Sequence, residues 1–363
     1  MSVAEKKLGV LVINFGEPEQ ATREQVEPFL ERIFLQNAGL EPDEATVQRA
    51  RRLASDRAPG LIKEYLQIGG SPLNQQADAQ SEQLETDLRA RGHDAKTYSA
   101  FQFTKPFIQD RVSEAKADNI ETLVALPVYP LCGRSTTVQA LEDVRVALNE
   151  LEWAPRFAGL SGWHYHENYM DMRARHISHF VKENDLNLND PDTVLYFTVH
   201  GTPIQYLDEG NRYDRYVEEH CLMVAQRLGT ARYAVGFQNH TNRPIAWTQP
   251  DNEIEIKSRP ENRLVMVPIS FMHEQSETLS EIDHELRHFV EGLGKEFYRV
   301  PVPHSERAFE VYLADLVEAA TQEEERANFG LSPCRCAANP DIWCTNGHRE
   351  LPLSPYTESV KDL

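Results

Sequence analysis

The chain predicts two similar doubly wound α/β domains, each a parallel sheet covered on both faces by helices. Three observations lead there. Strand-like and helix-like segments alternate almost throughout, the pattern that parallel sheets with crossover helices produce. The 363 residues exceed what one hydrophobic core usually organises. Short motifs at strand ends also recur in the same order in the two halves.

An apolar run over 8–14 reads as the first strand, and helical spacing follows over 26–35. An amphipathic helix over 81–91 is closed by Gly92, and a short strand spans 98–103. Helix 107–117, strand 121–126 and helix 138–151 complete the first half. After a loop rich in aromatics and glycine the series restarts with helix 169–181, strand 194–199, helix 213–228 and strands 233–237 and 264–269. A glutamate-bearing helix, strand 297–300 and helix 307–318 close it. Asn14-Phe-Gly-Glu-Pro18 answers His200-Gly-Thr-Pro203, Tyr98-Ser-Ala-Phe-Gln102 answers Tyr233-Ala-Val-Gly-Phe-Gln238, and Leu126-Pro-Val-Tyr-Pro130 answers Val267-Pro-Ile-Ser-Phe271. The expected organisation is a first domain over 1–155, a second over 156–318 carrying His200 and Glu277, and a cysteine-bearing extension over 319–363. In sheets of this kind ligands bind beyond the carboxyl ends of strands, where every echoed motif lies.

Composition narrows the function. A hydrophobic fraction of 40% with 26% charged residues suits a globular enzyme. The 57 acidic against 37 basic residues, a net charge of −20, argue against nucleic acid and anionic membrane surfaces but not against cations. No stretch approaches the length of a membrane-spanning segment and the N-terminus has no apolar signal core, so a cytoplasmic protein is expected, at most peripheral to a membrane.

Two features carry chemistry. Glu277, Glu281 and Glu285 are spaced four apart, which puts them on one face of a helix, where like charges repel unless the face is solvated or meets a cation. His273 and Glu274 stand just before them. His200 ends an apolar run and precedes Gly201 and Pro203, which turn the chain and aim its imidazole off the strand end as a base or metal ligand. The plainer alternatives are a solvated acidic face and a turn histidine bonded to backbone. No G-x-S-x-G, G-x-G-x-x-G or G-x-x-x-x-G-K-[ST] occurs, which disfavours serine hydrolases, dinucleotide enzymes and P-loop NTPases.

Asn14-Phe-Gly-Glu-Pro18, Tyr65-x-x-Ile-Gly-Gly-Ser-Pro-Leu73, Tyr129-Pro with Ser135-Thr-Thr137, His200-Gly-Thr-Pro203 and Ser276-Glu-Thr-Leu-x-Glu-Ile-Asp283 resemble ferrochelatases, in order and at similar intervals, over residues 8–318. The resemblance implies the type II chelatase fold, two Rossmann-like domains, and insertion of Fe²⁺ as substrate into a porphyrin, protoporphyrin IX or coproporphyrin III, to make haem or coprohaem. It implies that His200 and Glu277 are catalytic, that His200, Glu277, Glu281 and Glu285 serve the metal, and that Phe15, Tyr129, Ser135, Thr136 and His166 meet the substrate. Equally, the hydroxyls could cap the helix that follows, and His166 could be a surface histidine. Departures stand at Gln102-Phe103, where many members have Arg-Tyr, at Gly210-Asn-Arg-Tyr213 for Gly-Asp-Pro-Tyr, and at Gln275 for a histidine.

Several ferrochelatases hold a [2Fe–2S] cluster through three C-terminal cysteines and one from a loop of the first half. Cys334, Cys336, Cys344 and Cys132 would be those ligands here, the alternative being reduced, unliganded thiols. The resemblance leaves room for peripheral contact with a membrane or another enzyme of haem synthesis, and for a monomer or a homodimer. Other readings are a non-catalytic tetrapyrrole-binding or haem-sensing protein, and a chelatase for another metal.

Overall fold

A computed structural model describes residues 7–40, 47–240, 245–336 and 341–346. Among them the chain divides into two compact units. The first comprises 7–19, 72–166 and 304–346, and the second 20–71 and 167–303. This corrects the expected division at 155. The loop assigned to the boundary contains a strand of the first sheet, and helix Arg307–Thr321 returns to the first unit.

The first sheet has β1 (Leu8–Asn14), β2 (Ala95–Phe101), β3 (Thr122–Pro127) and β4 (Arg156–Leu160) in the order β2-β1-β3-β4. The second has β5 (Thr193–His200), β6 (Tyr233–Gln238), β7 (Arg263–Pro268) and β8 (Glu296–Arg299) in the order β6-β5-β7-β8. The two orders are the same, and all of these pairings are parallel. The internal repeat read from the motifs is therefore a repeat of topology. It extends further than the motifs: Phe101 N–H donates to the Pro106 carbonyl, and Phe237 N–H to the Pro250 carbonyl, each at 2.9 Å. The central strands β1 and β5 are buried almost end to end, as continuous apolar runs in parallel sheets must be.

Helix Arg307–Thr321 explains its own placement. Phe309, Tyr312, Leu313, Leu316 and Val317 make an apolar face that must be covered, and all are buried. Arg307 forks onto Asp87 at 2.6 and 2.8 Å, and Arg91 reaches Asp315 at 2.8 Å, tying it to the C-terminal end of helix Leu73–Ala90. The expected separate extension over 319–363 is also corrected within the described residues. Strands β9 (Ser332–Pro333) and β10 (Ile342–Cys344) lengthen the first sheet, with Ile342 opposite Gly159 on β4. A Cβ at Gly159 would lie 2.4 Å from the Ile342 side chain, so glycine is what lets β10 close down there.

In the second unit, helix Val47–Ile68 is absent from the periodicity reading because Pro59 and Gly60 sit inside it. Its buried residues Ala50, Ala54, Ala58, Leu61 and Tyr65 nevertheless keep a helical face. The glutamate segment is not an ordinary α-helix but a π-helix over Glu277–Leu286. Such wide turns are rare and concentrate at functional sites. Arg299 holds it against the end of β8: its guanidinium meets Asp283 at 2.8 and 2.6 Å and Glu274 at 2.7 Å. All three side chains are largely buried, so removing the cation leaves uncompensated carboxylates. Arg299→Leu is expected to cost about 3 kcal/mol of stability in denaturant titration, and a loss well under 1 kcal/mol would show that the triad does not hold the π-helix.

Candidate active site

His200 is the last residue of β5, and Gly201 must follow it closely packed. Gly201 N–H donates to the Gln238 carbonyl at 2.7 Å, and a Cβ at Gly201 would fall 2.0 Å from the Asn239 side-chain oxygen. The turn is clasped from outside by residues 246–248. Ile204 N–H bonds to the Ala246 carbonyl, while Thr202 and Thr248 exchange two hydrogen bonds.

The half-buried imidazole has a defined tautomer. Its Nδ1 lies 2.7 Å from the Gly201 carbonyl, which can only accept, so Nδ1 carries the proton and Nε2 presents a lone pair. Burial pushes its pKa down, opposed in part by that hydrogen bond, so the ring is neutral near pH 7 and able to take a proton. The His200 backbone N–H donates to Ser270 Oγ at 3.0 Å, and Ser270 Oγ meets the Tyr213 hydroxyl at 2.9 Å. Phe271 stands edge-on to the ring at 6.1 Å.

The glutamates run outward along the π-helix, with Glu277 and Glu281 half-buried and Glu285 at the surface. Glu277 accepts hydrogen bonds from Gln275 at 2.8 Å and from the Ser276 hydroxyl at 2.9 Å. Burial nevertheless raises its pKa. Glu281 is pushed up to about 8, first by burial and then by repulsion from Glu277, Glu285 and Glu64. Glu285 is raised by burial and by Glu64, with Arg57 opposing. These two carboxylates keep part of their surface open while standing among protein and other carboxylates, an environment that favours the neutral acid.

Gln238 joins the two features. Opposite His200 in the β5–β6 register, it donates its amide to the Glu277 carbonyl at 3.3 Å and to Glu281 Oε2 at 3.2 Å. Sequence reasoning missed Gln238, Glu64 and Arg57, and also Arg299, which takes Glu274 out of the ladder. It missed His240 as well, whose Nε2 lies 3.2 Å from that of His200. The echo of Tyr98-Ser-Ala-Phe-Gln102 in Tyr233-Ala-Val-Gly-Phe-Gln238 was the available signal for Gln238.

The remaining sequence-derived residues lie in the first unit. Phe15, just past β1, packs on Phe103 with ring centroids 4.5 Å apart. The Tyr129 hydroxyl donates to Gln102 at 2.8 Å, and the Gln102 amide reaches the Ser135 carbonyl at 3.3 Å, so the glutamine departing from Arg-Tyr has an internal role. Ser135 and Thr136 sit in a second π-helical turn, Arg134–Val138, and neither hydroxyl caps the helix after it. His166 stacks on Phe329 at 4.0 Å and lies near Tyr312.

The thiols converge as well. Cys334 is hydrogen-bonded to Cys336 and to Cys344, which hold its pKa low. Buried Cys132 is pushed up to about 12 by desolvation and then by Cys334. The face of Gly162 opens on the Cβ atoms of both Cys132 and Cys344. The Ser161 hydroxyl lies 3.8 Å from Cys334 Sγ. Cys132 lies in a loop of the first unit, Cys334 just past β9, Cys336 in the bend after it and Cys344 at the end of β10. No group of three or more His, Cys, Asp or Glu among the described residues is arranged to hold a metal ion, and none of the helices among them is long and apolar enough to cross a membrane.

Comparison with known proteins adds the family. The ferrochelatase family model matches residues 7–321. A ferrochelatase of Rippkaea orientalis is 33% identical, covering 87% of this chain and 83% of its own. One of Geotalea uraniireducens is 30% identical over 88% of this chain and 99% of its own. Among solved structures, SirB from Bacillus subtilis with Fe³⁺ shares the fold, with a TM-score of 0.52 at 9% identity over 87% of this chain and 98% of its own. The parallel sheets, the repeated strand order and these matches agree, and the chain belongs to the ferrochelatase family.

Proposed function

We propose that this ferrochelatase metallates its porphyrin at His200 and Glu277, with Glu281 and Glu285 forming the path by which iron enters and protons leave. The substrates of the reaction are ferrous iron and a porphyrin, and two pyrrole protons must depart as the metal arrives. One arrangement supports the reading: His200 offers an unprotonated Nε2 fixed by the Gly201 carbonyl, and Gln238 ties its strand to the Glu277 backbone and the Glu281 carboxylate. A base of that kind takes a proton in the transition state. Nitrogen and oxygen donors hold iron less tenaciously than thiolates, which suits an ion that must be passed on.

Phe15, Tyr129, Ser135 and Thr136 would meet the ring and its carboxylate arms, with protoporphyrin IX or coproporphyrin III as the substrate. His166 is a weaker member of that group, since its ring is already stacked on Phe329. A cytoplasmic site of action, with peripheral contact to a membrane or a neighbouring enzyme of haem synthesis, belongs to the same reading. Cys132, Cys334, Cys336 and Cys344 would hold a [2Fe–2S] cluster, which supplies a one-electron redox centre. Of these, Cys344 lies on β10, where it pairs with Ser332 of β9.

His200→Ala is expected to lower kcat at least a hundredfold while porphyrin binding, followed by fluorescence quenching, stays within a few-fold, and Glu277→Gln is expected to do the same. Near-parental kcat in either variant would remove that residue from the reaction. Anaerobically purified protein is expected to be reddish-brown with acid-labile sulfide, and Cys344→Ser to bleach it and lower the melting temperature. A colourless preparation without sulfide, from cells able to assemble clusters, would return the four cysteines to plain thiols.

A further inference from the structure

We propose that His240 is a second imidazole ligand for the incoming divalent ion, pairing with His200 through their Nε2 atoms. His200 stands at the end of β5 and His240 two residues past the end of the neighbouring strand β6, so parallel pairing brings both to the same sheet edge. Their Nε2 atoms are 3.2 Å apart. Two metal–nitrogen bonds of about 2.0–2.1 Å at a near-tetrahedral angle place their nitrogens about 3.3 Å apart, so one ion fits between them with little movement.

The surroundings suit that role. The Gly201 carbonyl holds His200 Nδ1, the outer hydrogen bond that commonly orients a metal-bound histidine. His240 is exposed and its ring lies edge-on to Trp247 at 5.4 Å, which places it where an ion would arrive from solvent. Trp247 is itself fixed by its bridge to Pro203 in the histidine turn. Without metal, the His240 Nε2–H donates to the lone pair of His200. On binding, the ion forms two nitrogen bonds and sheds two waters, and the His240 ring proton moves to Nδ1 through solvent, with no change in charge or oxidation state. The pair then holds the ion at the strand end that Gln238 connects to the Glu277 backbone and the Glu281 carboxylate.

The inference rests on His200 lying at the reaction centre, and the test separates the two. Co²⁺ titrated into porphyrin-free protein and followed by its visible absorption is expected to bind at least tenfold more weakly to His240→Ala, with porphyrin affinity unchanged. In turnover the same variant should raise the KM for Fe²⁺ more than it lowers kcat. His240→Gln keeps a hydrogen-bond donor toward His200 but loses the imidazole, so it should not restore Co²⁺ binding. Unchanged Co²⁺ affinity in His240→Ala, or full rescue by His240→Gln, would overturn the assignment in favour of a hydrogen-bonding role. Loss of Co²⁺ binding in His240→Ala alongside full turnover in His200→Ala would uphold the imidazole pair and overturn only the placement of the reaction.

Discussion

Mutual repulsion among Glu277, Glu281 and Glu285, in surroundings that only partly hydrate them, is the constraint around which the second unit is arranged. Ordinary surface carboxylates at this spacing cost one another a few tenths of a kcal/mol. Here desolvation adds to repulsion, and the pKa of each group is raised, that of Glu281 to about 8. Two guanidinium groups of the second unit are engaged elsewhere. Arg299 is committed to Asp283 and Glu274, and Arg57 is paired with Glu64 at 2.8 Å. Both cations are thus committed first to other carboxylates, and only Arg57 tempers the shifts of Glu281 and Glu285.

Geometry follows from the same constraint. A π-helix turns more slowly than an α-helix, so residues four apart stay near one face while the backbone widens. The Arg299 triad stabilises that unusual turn from behind, and Gln238 anchors its start to the β5–β6 edge that carries His200. His200 and the start of the glutamate segment therefore share one support, the condition that the proposed proton transfer and metal release require.

Much of this was legible in the sequence. Strand-like runs marked seven of the eight core strands closely enough to order them, and three echoed motifs exposed the repeat that became identical strand orders. His200 and the glutamate spacing were visible because their chemistry is local. What escaped was set by distant partners or by a broken local rule. Helix Val47–Ile68 was hidden by Pro59 and Gly60, and β4 lay in a stretch that reads as a loop. Arg299 and His240 acquire meaning only when strands far apart in the chain are laid side by side. The tail was read as an appendage because Ile342–Cys344 is too short to announce itself, and only pairing with β4 makes it a strand.

The central claim of the proposed reading is that Glu281 stores a proton that an arriving divalent ion displaces. A carboxyl group whose folded pKa is raised is protonated below that value, so at pH 7 Glu281, near 8, still carries its proton, and metal affinity should climb as pH rises through it. Calorimetric titration of Co²⁺ into porphyrin-free protein at pH 7, in buffers of different ionisation enthalpy, counts the protons released. The account predicts about one proton released per ion bound and a clear reduction in Glu281→Gln. Binding without proton release, or release unchanged by that substitution, would contradict it.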